Sequence, residues 1–149
     1  LRSHSTSVLS DKVMMILRLF IFGIYLFGTL LLKKYYLLPG RVVLPDIAFF
    51  SGLLAVFLIL LYLEIRSLIS QENISMRKLR WRGFHFSFWT GVQWWFFLSL
   101  PESDFSFTDA ARLISFLFGL ALGGVIHGAM GMAITQFMLL FVFKRKDTD

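Results

Sequence analysis

Residues 113–143 read LISFLFGLALGGVIHGAMGMAITQFMLLFVF. Length alone makes a run this apolar a membrane helix, since about 20 residues cross about 30 Å of hydrocarbon. It is also too long: 31 residues reach about 46 Å as a straight helix at about 1.5 Å per residue. Gly119, Gly123, Gly124, Gly128 and Gly131 make a bend easy, so the expectation is one helix, tilted or kinked. The other arrangement lays a first stretch, near Thr108 to Phe118, at the interface before a span from Gly119 onward.

Within this run, Gly119, Gly123, His127, Gly131 and Thr135 recur every four residues. In hydrocarbon, burying apolar surface gains nothing, so helices associate through close backbone approach and buried polar bonds. The ridge supplies glycines for the first and His127 for the second. Glycine is also simply commoner in membrane helices than in soluble ones. A four-residue step drifts about 40° per repeat on a helix of 3.6 residues per turn, which predicts an oblique right-handed crossing or a kink near His127. Gly124 and Gly128 form a second small patch beside the ridge.

The rest of the chain agrees with a membrane protein. Of 149 residues, 57% are hydrophobic and 16% charged, with a mean hydropathy of +0.73; soluble domains run to about 45–50% and about 25%. Besides residues 113–143, apolar blocks span Val13 to Leu32, Ile47 to Leu63 and Phe84 to Leu100. Charged residues or prolines fence them: Asp11 and Lys12, Lys33 and Lys34, Pro45 and Asp46, Glu64, the run Arg80 to Arg82, and Pro101. The middle two blocks are short, about 25 Å. The expected fold is an all-α integral membrane protein, residues 1–149 forming a single transmembrane domain of four transmembrane helices.

Four spans put both termini on one side. There lie Arg2, Lys12, Arg18, Arg66, Arg77, Lys78, Arg80, Arg82, Lys144, Arg145 and Lys146, eleven of the fifteen Lys and Arg residues. The other side holds Lys33, Lys34, Arg41 and Arg112, with acidic Glu102, Asp104 and Asp109 in its second loop. Positive charge marks the cytoplasmic flank, so both termini are expected in the cytoplasm, or in the matrix or stroma of an organelle. Tyr35, Tyr36 and Trp81 suit the headgroup level, while Trp94 and Trp95 lie deeper and suit core packing. Arg77, Lys78, Arg80, Trp81 and Arg82 form a basic cluster expected to meet anionic lipid headgroups, each charge contributing about 1 kcal/mol.

Few polar groups enter the blocks. Arg18 lies about 7 Å past the start of the first and is expected to snorkel to the surface. Its functional alternative is a binding group for an anionic substrate or lipid. Gln93 and Thr90 lie at depths comparable with His127 in an antiparallel arrangement, so a His127 to Gln93 hydrogen bond is expected. Haem ligation by His127 would need a second axial ligand, and His85, the other histidine within a block, is about 10 Å or more away in depth. A proton-relay role is open, without a neighbouring carboxylate.

Catalytic signatures are missing: no HExxH, GxSxG or Walker loop, and no cysteine, which removes thiolate metal sites and disulfide chemistry. Glu102 and Asp104 read as a solvated loop with Ser106 or Thr108 capping the next helix. Asn73-Ile74-Ser75 matches a glycosylation acceptor but falls on the cytoplasmic side. The net charge of +6 and a pI near 10.0 flank spans rather than form a basic domain, so nucleic acid is not an expected partner. The serine-rich start, LRSHSTSVLS, reads as the tail of a transit peptide or as a short cytoplasmic tail.

These observations lead to a non-catalytic multi-pass membrane protein with no cofactor. It acts by helix packing, as a subunit or assembly partner of a membrane complex, in contact with lipids and with other subunits or copies of itself. The expected location is the bacterial cytoplasmic membrane, with the mitochondrial inner or thylakoid membrane as alternative. A small oligomeric transporter or channel, and a haem or quinone anchor subunit, are the other two readings.

Overall fold

The structure, a computed structural model, describes residues 3–36, 44–70, 74–99 and 110–144, and all of its regular structure is helical. Helix α1 spans Ser3–Tyr36, α2 Leu44–Ile69, α3 Met76–Ser99 and α4 Ala110–Phe137. A π-helical turn, Met138–Val142, continues α4. Expectations placed on Arg2, Arg41, Pro101 and the loop containing Glu102, Asp104, Ser106, Thr108 and Asp109 lie outside the described residues, as do the side chains of Lys33, Lys34, Tyr35 and Tyr36.

Side-chain pairings fix the topology. Arg18 meets Glu64 while Tyr25 faces Gly52, so α1 and α2 run antiparallel. Arg82 meets Glu64 while Trp94 packs on Phe50, so α2 and α3 do as well. Gly83 faces Thr135 while Trp95 covers Gly123, which makes α3 and α4 antiparallel too. The result is an up-down-up-down bundle.

Three of the helices, through Ser10–Leu31, Ala48–Ile69 and Ala110–Val142, are long and apolar enough to cross a membrane. Their outward faces carry large bare apolar side chains: Phe20 is 64% exposed, Ile114 67%, Phe118 68% and Phe141 65%. Water would not tolerate so continuous an apolar coat on a monomer; lipid does. Helix α3 is not among the three. It carries Arg77, Lys78, Arg80 and Arg82 and several polar side chains, and it touches each of the other three helices. The least apolar helix is thus the central one, and its Ser87 and Thr90 are buried.

The core runs along α3's neighbours: Phe22 and Leu26 of α1, Leu53, Leu61 and Ile65 of α2, Leu79 and Phe86 of α3, and Leu139 of the π turn. Phe86 stacks on Phe57 at 6.3 Å between centroids, and Phe27 packs on Phe97 at 5.7 Å.

Helix ends differ from the apolar blocks for a physical reason. The second block stops at Glu64, but α2 continues to Ile69 because the carboxylate is paired inside the bundle. The third block starts at Phe84, whereas α3 starts at Met76 and takes in the basic cluster. Ser75 caps it, its Oγ accepting from the Lys78 N–H at 3.4 Å. That serine is the third residue of the Asn73-Ile74-Ser75 motif. Helix α4 is one continuous helix from Ala110 to Phe137, and among its described residues the backbone departs from α geometry at Met138–Val142. There Phe143 N–H bonds to Met138 O at 2.9 Å, and the Phe143 ring stacks on Tyr62 at 5.5 Å.

Candidate functional site

Helices α3 and α4 form the most intimate pair in the bundle. Their contact repeats every four residues on both sides: Gly83 against Thr135, Ser87 against Gly131, Gly91 against His127, and Trp95 against Gly123. Each level holds one glycine and one side chain, and the glycine alternates between the helices. A β-carbon on Gly91 would stand 2.5 Å from His127 Cβ, and at the other three levels it would fall well inside contact distance. At Gly83 and Gly131 even the backbones close up, since such a carbon would lie 3.2 Å from Gly131 O and 3.0 Å from Gly83 O respectively. Approach this close is what drives helix association in hydrocarbon, through dispersion and weak Cα–H···O contacts.

Gly124 and Gly128 flank the seam. Phe88 and Val92 lie on Gly124, each 2.8 Å from a β-carbon placed there, and Phe84 lies on Gly128 at 2.7 Å. Phe84 and Phe88 stack at 6.2 Å on α3. Both glycine patches of α4 therefore face the same neighbour. Gly119 behaves differently: among the described residues nothing lies within 4 Å of the position its β-carbon would take.

The seam isolates polar atoms. Ser87 Oγ and Thr135 Oγ1 are buried with no hydrogen-bond partner among the described residues. Thr90 Oγ1 donates to Ser87 O at 2.9 Å. His127 bonds to its own helix, Nδ1 to Gly123 O at 2.9 Å. A carbonyl only accepts, so this contact uses the Nδ1 hydrogen, and in the neutral ring that leaves the lone pair on Nε2. The expected bond to Gln93 is not made. Gln93 turns to α1, its Nε2 donating to Leu19 O at 3.3 Å and its Oε1 lying against Gly23. Gln93 leaves α3 toward α1, whereas His127 of α4 packs on the face of α3 that carries Gly91.

A second cluster joins the middle of α1 to the last turns of α2 and the first turns of α3. Glu64, 1% exposed, sits between two arginines. Arg18 NH1 donates to its Oε2 and to Ser67 Oγ, the latter at 3.2 Å. Arg82 Nε donates to its Oε1 at 2.6 Å, and Arg82 NH2 reaches Asp11 O at 2.8 Å. Three helices are tied at one carboxylate. Arg18 thus turns inward instead of snorkelling, because a charge at this depth finds a full countercharge closer than the surface. Arg82 leaves the headgroup group for the same reason. Of the remaining basic cluster, Arg77, Lys78 and Trp81 are exposed, and Arg80 donates to Gln136 Oε1 at 3.2 Å.

Pairing two arginines with one carboxylate is not automatically stabilising, since desolvating each ion costs several kcal/mol. Here every carboxylate oxygen is occupied and each guanidinium makes a further bond, to Ser67 or Asp11. That multiplicity offsets the desolvation and fixes register among α1, α2 and α3.

Two parts of this arrangement carried signals in the sequence. Gly83, Ser87 and Gly91 repeat at the same four-residue step as the α4 ridge. Glu64 ends one apolar block and Arg18 lies just inside the start of another, so an antiparallel hairpin brings them level. Among the described residues no three His, Cys, Asp or Glu groups gather as for a metal ion. No family model, no curated protein and no solved structure matches this chain.

Proposed function

We propose that this chain is a non-catalytic multi-pass membrane protein acting as a subunit or assembly partner of a membrane complex, through packing against other subunits or further copies of itself. Gly119 is the observation that carries the reading. It belongs to the same four-residue ridge as Gly123, His127, Gly131 and Thr135, yet among the described residues α3 fills the ridge only from Gly123 onward and nothing covers Gly119. A helix from outside the chain continues the seam there, where close approach costs no side-chain displacement.

The proposal includes an orientation. Both termini lie in the cytoplasm, with exposed Arg77 and Lys78 at the headgroups of an anionic leaflet, and the membrane is the bacterial cytoplasmic one. The charge bias of the connections supports this.

Comparing Gly119→Leu with Gly123→Leu after extraction in mild detergent tests the assembly reading. Gly119→Leu is expected to give a folded chain stripped of its co-purifying partners, whereas Gly123→Leu damages the fold itself by displacing Trp95. A wild-type chain that runs as a bare monomer in every mild detergent and crosslinks to nothing in membranes overturns the proposal.

A further inference from the structure

Midway along the bundle, α2 and α4 part and leave a cavity of about 250 Å³ with α3 at its floor. Leu54 and Met130, both more than half exposed, stand at its mouth, while Thr90 at 2% exposure lies at its base. Its mouth therefore opens on the apolar outer surface of the bundle. Phe50 and Phe57 of α2 and Trp94 of α3 supply aromatic walls, with the Phe50 and Trp94 rings 5.8 Å apart and inclined by 30°.

The polar atoms on this lining are unevenly equipped. Thr90 has spent its hydroxyl hydrogen on Ser87 O, and His127 its Nδ1 hydrogen on Gly123 O. Neutral His127 therefore offers a lone pair at Nε2, for which no described residue provides a donor. Trp94 adds an indole N–H, a donor only. A group that both donates and accepts complements this set. An ether or an isolated carbonyl leaves Nε2 unanswered. As for size, an apolar cavity of about 150 Å³ admits benzene, so the larger volume here takes one ring with a short substituent.

From this geometry we propose that the cavity is a binding site for a membrane-dissolved aromatic alcohol, a ring bearing a free hydroxyl, which enters between α2 and α4 and donates its hydroxyl hydrogen to His127 Nε2. The site goes beyond the assembly role and does not depend on it, since no lining residue belongs to the open surface around Gly119.

The test uses the full chain in mild detergent, with 4-propylphenol and its methyl ether, 4-propylanisole, as probes and saturable binding read by calorimetry. Wild type is expected to bind the phenol about tenfold more tightly than the ether, the difference made by one hydrogen bond to the half-buried His127. In His127→Leu that preference collapses to about unity. Met130→Trp, at the mouth and away from the seam, is expected to abolish saturable binding of both probes. Equal affinity for phenol and ether in wild type means that a lipid tail or any apolar solute fills the space, and overturns the proposal. Binding that survives Met130→Trp overturns it too, as does absence of saturable binding in a wild-type protein of normal thermal stability.

Discussion

Ser87 rests its hydroxyl on Gly131, and Thr135 one turn away rests on Gly83. Position on the helix therefore decides what a single methyl group does. Gly131→Ala drives a β-carbon into Ser87 and to 3.0 Å from Gly83 O, an overpacking expected to destabilise the bundle by about 1–3 kcal/mol. Gly119→Ala meets none of the described residues and is expected to be neutral or slightly stabilising, since alanine is the better helix former. Denaturant titration of both variants in mixed micelles checks the opposite signs. Equal losses would mean that the seam is not where the energy lies.

Buried Glu64 holds two partly buried cations. Glu64→Gln removes the charge and leaves Arg18 and Arg82 facing each other in a dry bundle, with an expected loss of about 3–5 kcal/mol. Replacing Arg18, Glu64 and Arg82 together by Met, Leu and Met is expected to cost far less, because no ion is then stranded. If the triple variant unfolds as readily as Glu64→Gln, packing and not charge governs this level.

Gln93 and His127 answer to different helices. A double-mutant cycle of Gln93→Leu and His127→Leu is expected to return a coupling energy near zero, with Gln93→Leu costing about 0.6 kcal/mol for its lost interhelical bond to α1. Coupling well above that figure would restore the direct His127 to Gln93 bond.

Orientation is open to chemical labelling because the chain has no cysteine. Single cysteines at Ser75 and Lys144 are expected to react with a membrane-impermeant maleimide only from the cytoplasmic side. Reaction of the two from opposite sides contradicts an even number of crossings between them.

The boundary between legible and illegible runs through single residues here. Gly123, Gly131 and Thr135 stood out because hydrophobic sequence around them is long and their spacing is regular, and both are local properties. That α3 would be the helix to meet them was not local. Gly83, Ser87 and Gly91 repeat at the same step, but among phenylalanines and tryptophans their spacing gains meaning only beside a complementary partner. Arg18 read as a snorkelling cation for a similar reason: its distance from the span's edge is local, and its distance from Glu64 is not.

Sequence by itself determined the apolar coat, the helical class and the places where backbones can approach, since these follow from hydropathy and side-chain size along one chain. Tertiary structure decided which neighbour fills each approach, which way Arg18, Arg82 and Gln93 turn, and which part of the Gly119 to Thr135 ridge α3 covers. The reason is physical. In a medium that rewards neither face of a helix for apolarity, rotation about the helix axis is set by close contacts and polar pairs, and those exist only once two helices meet.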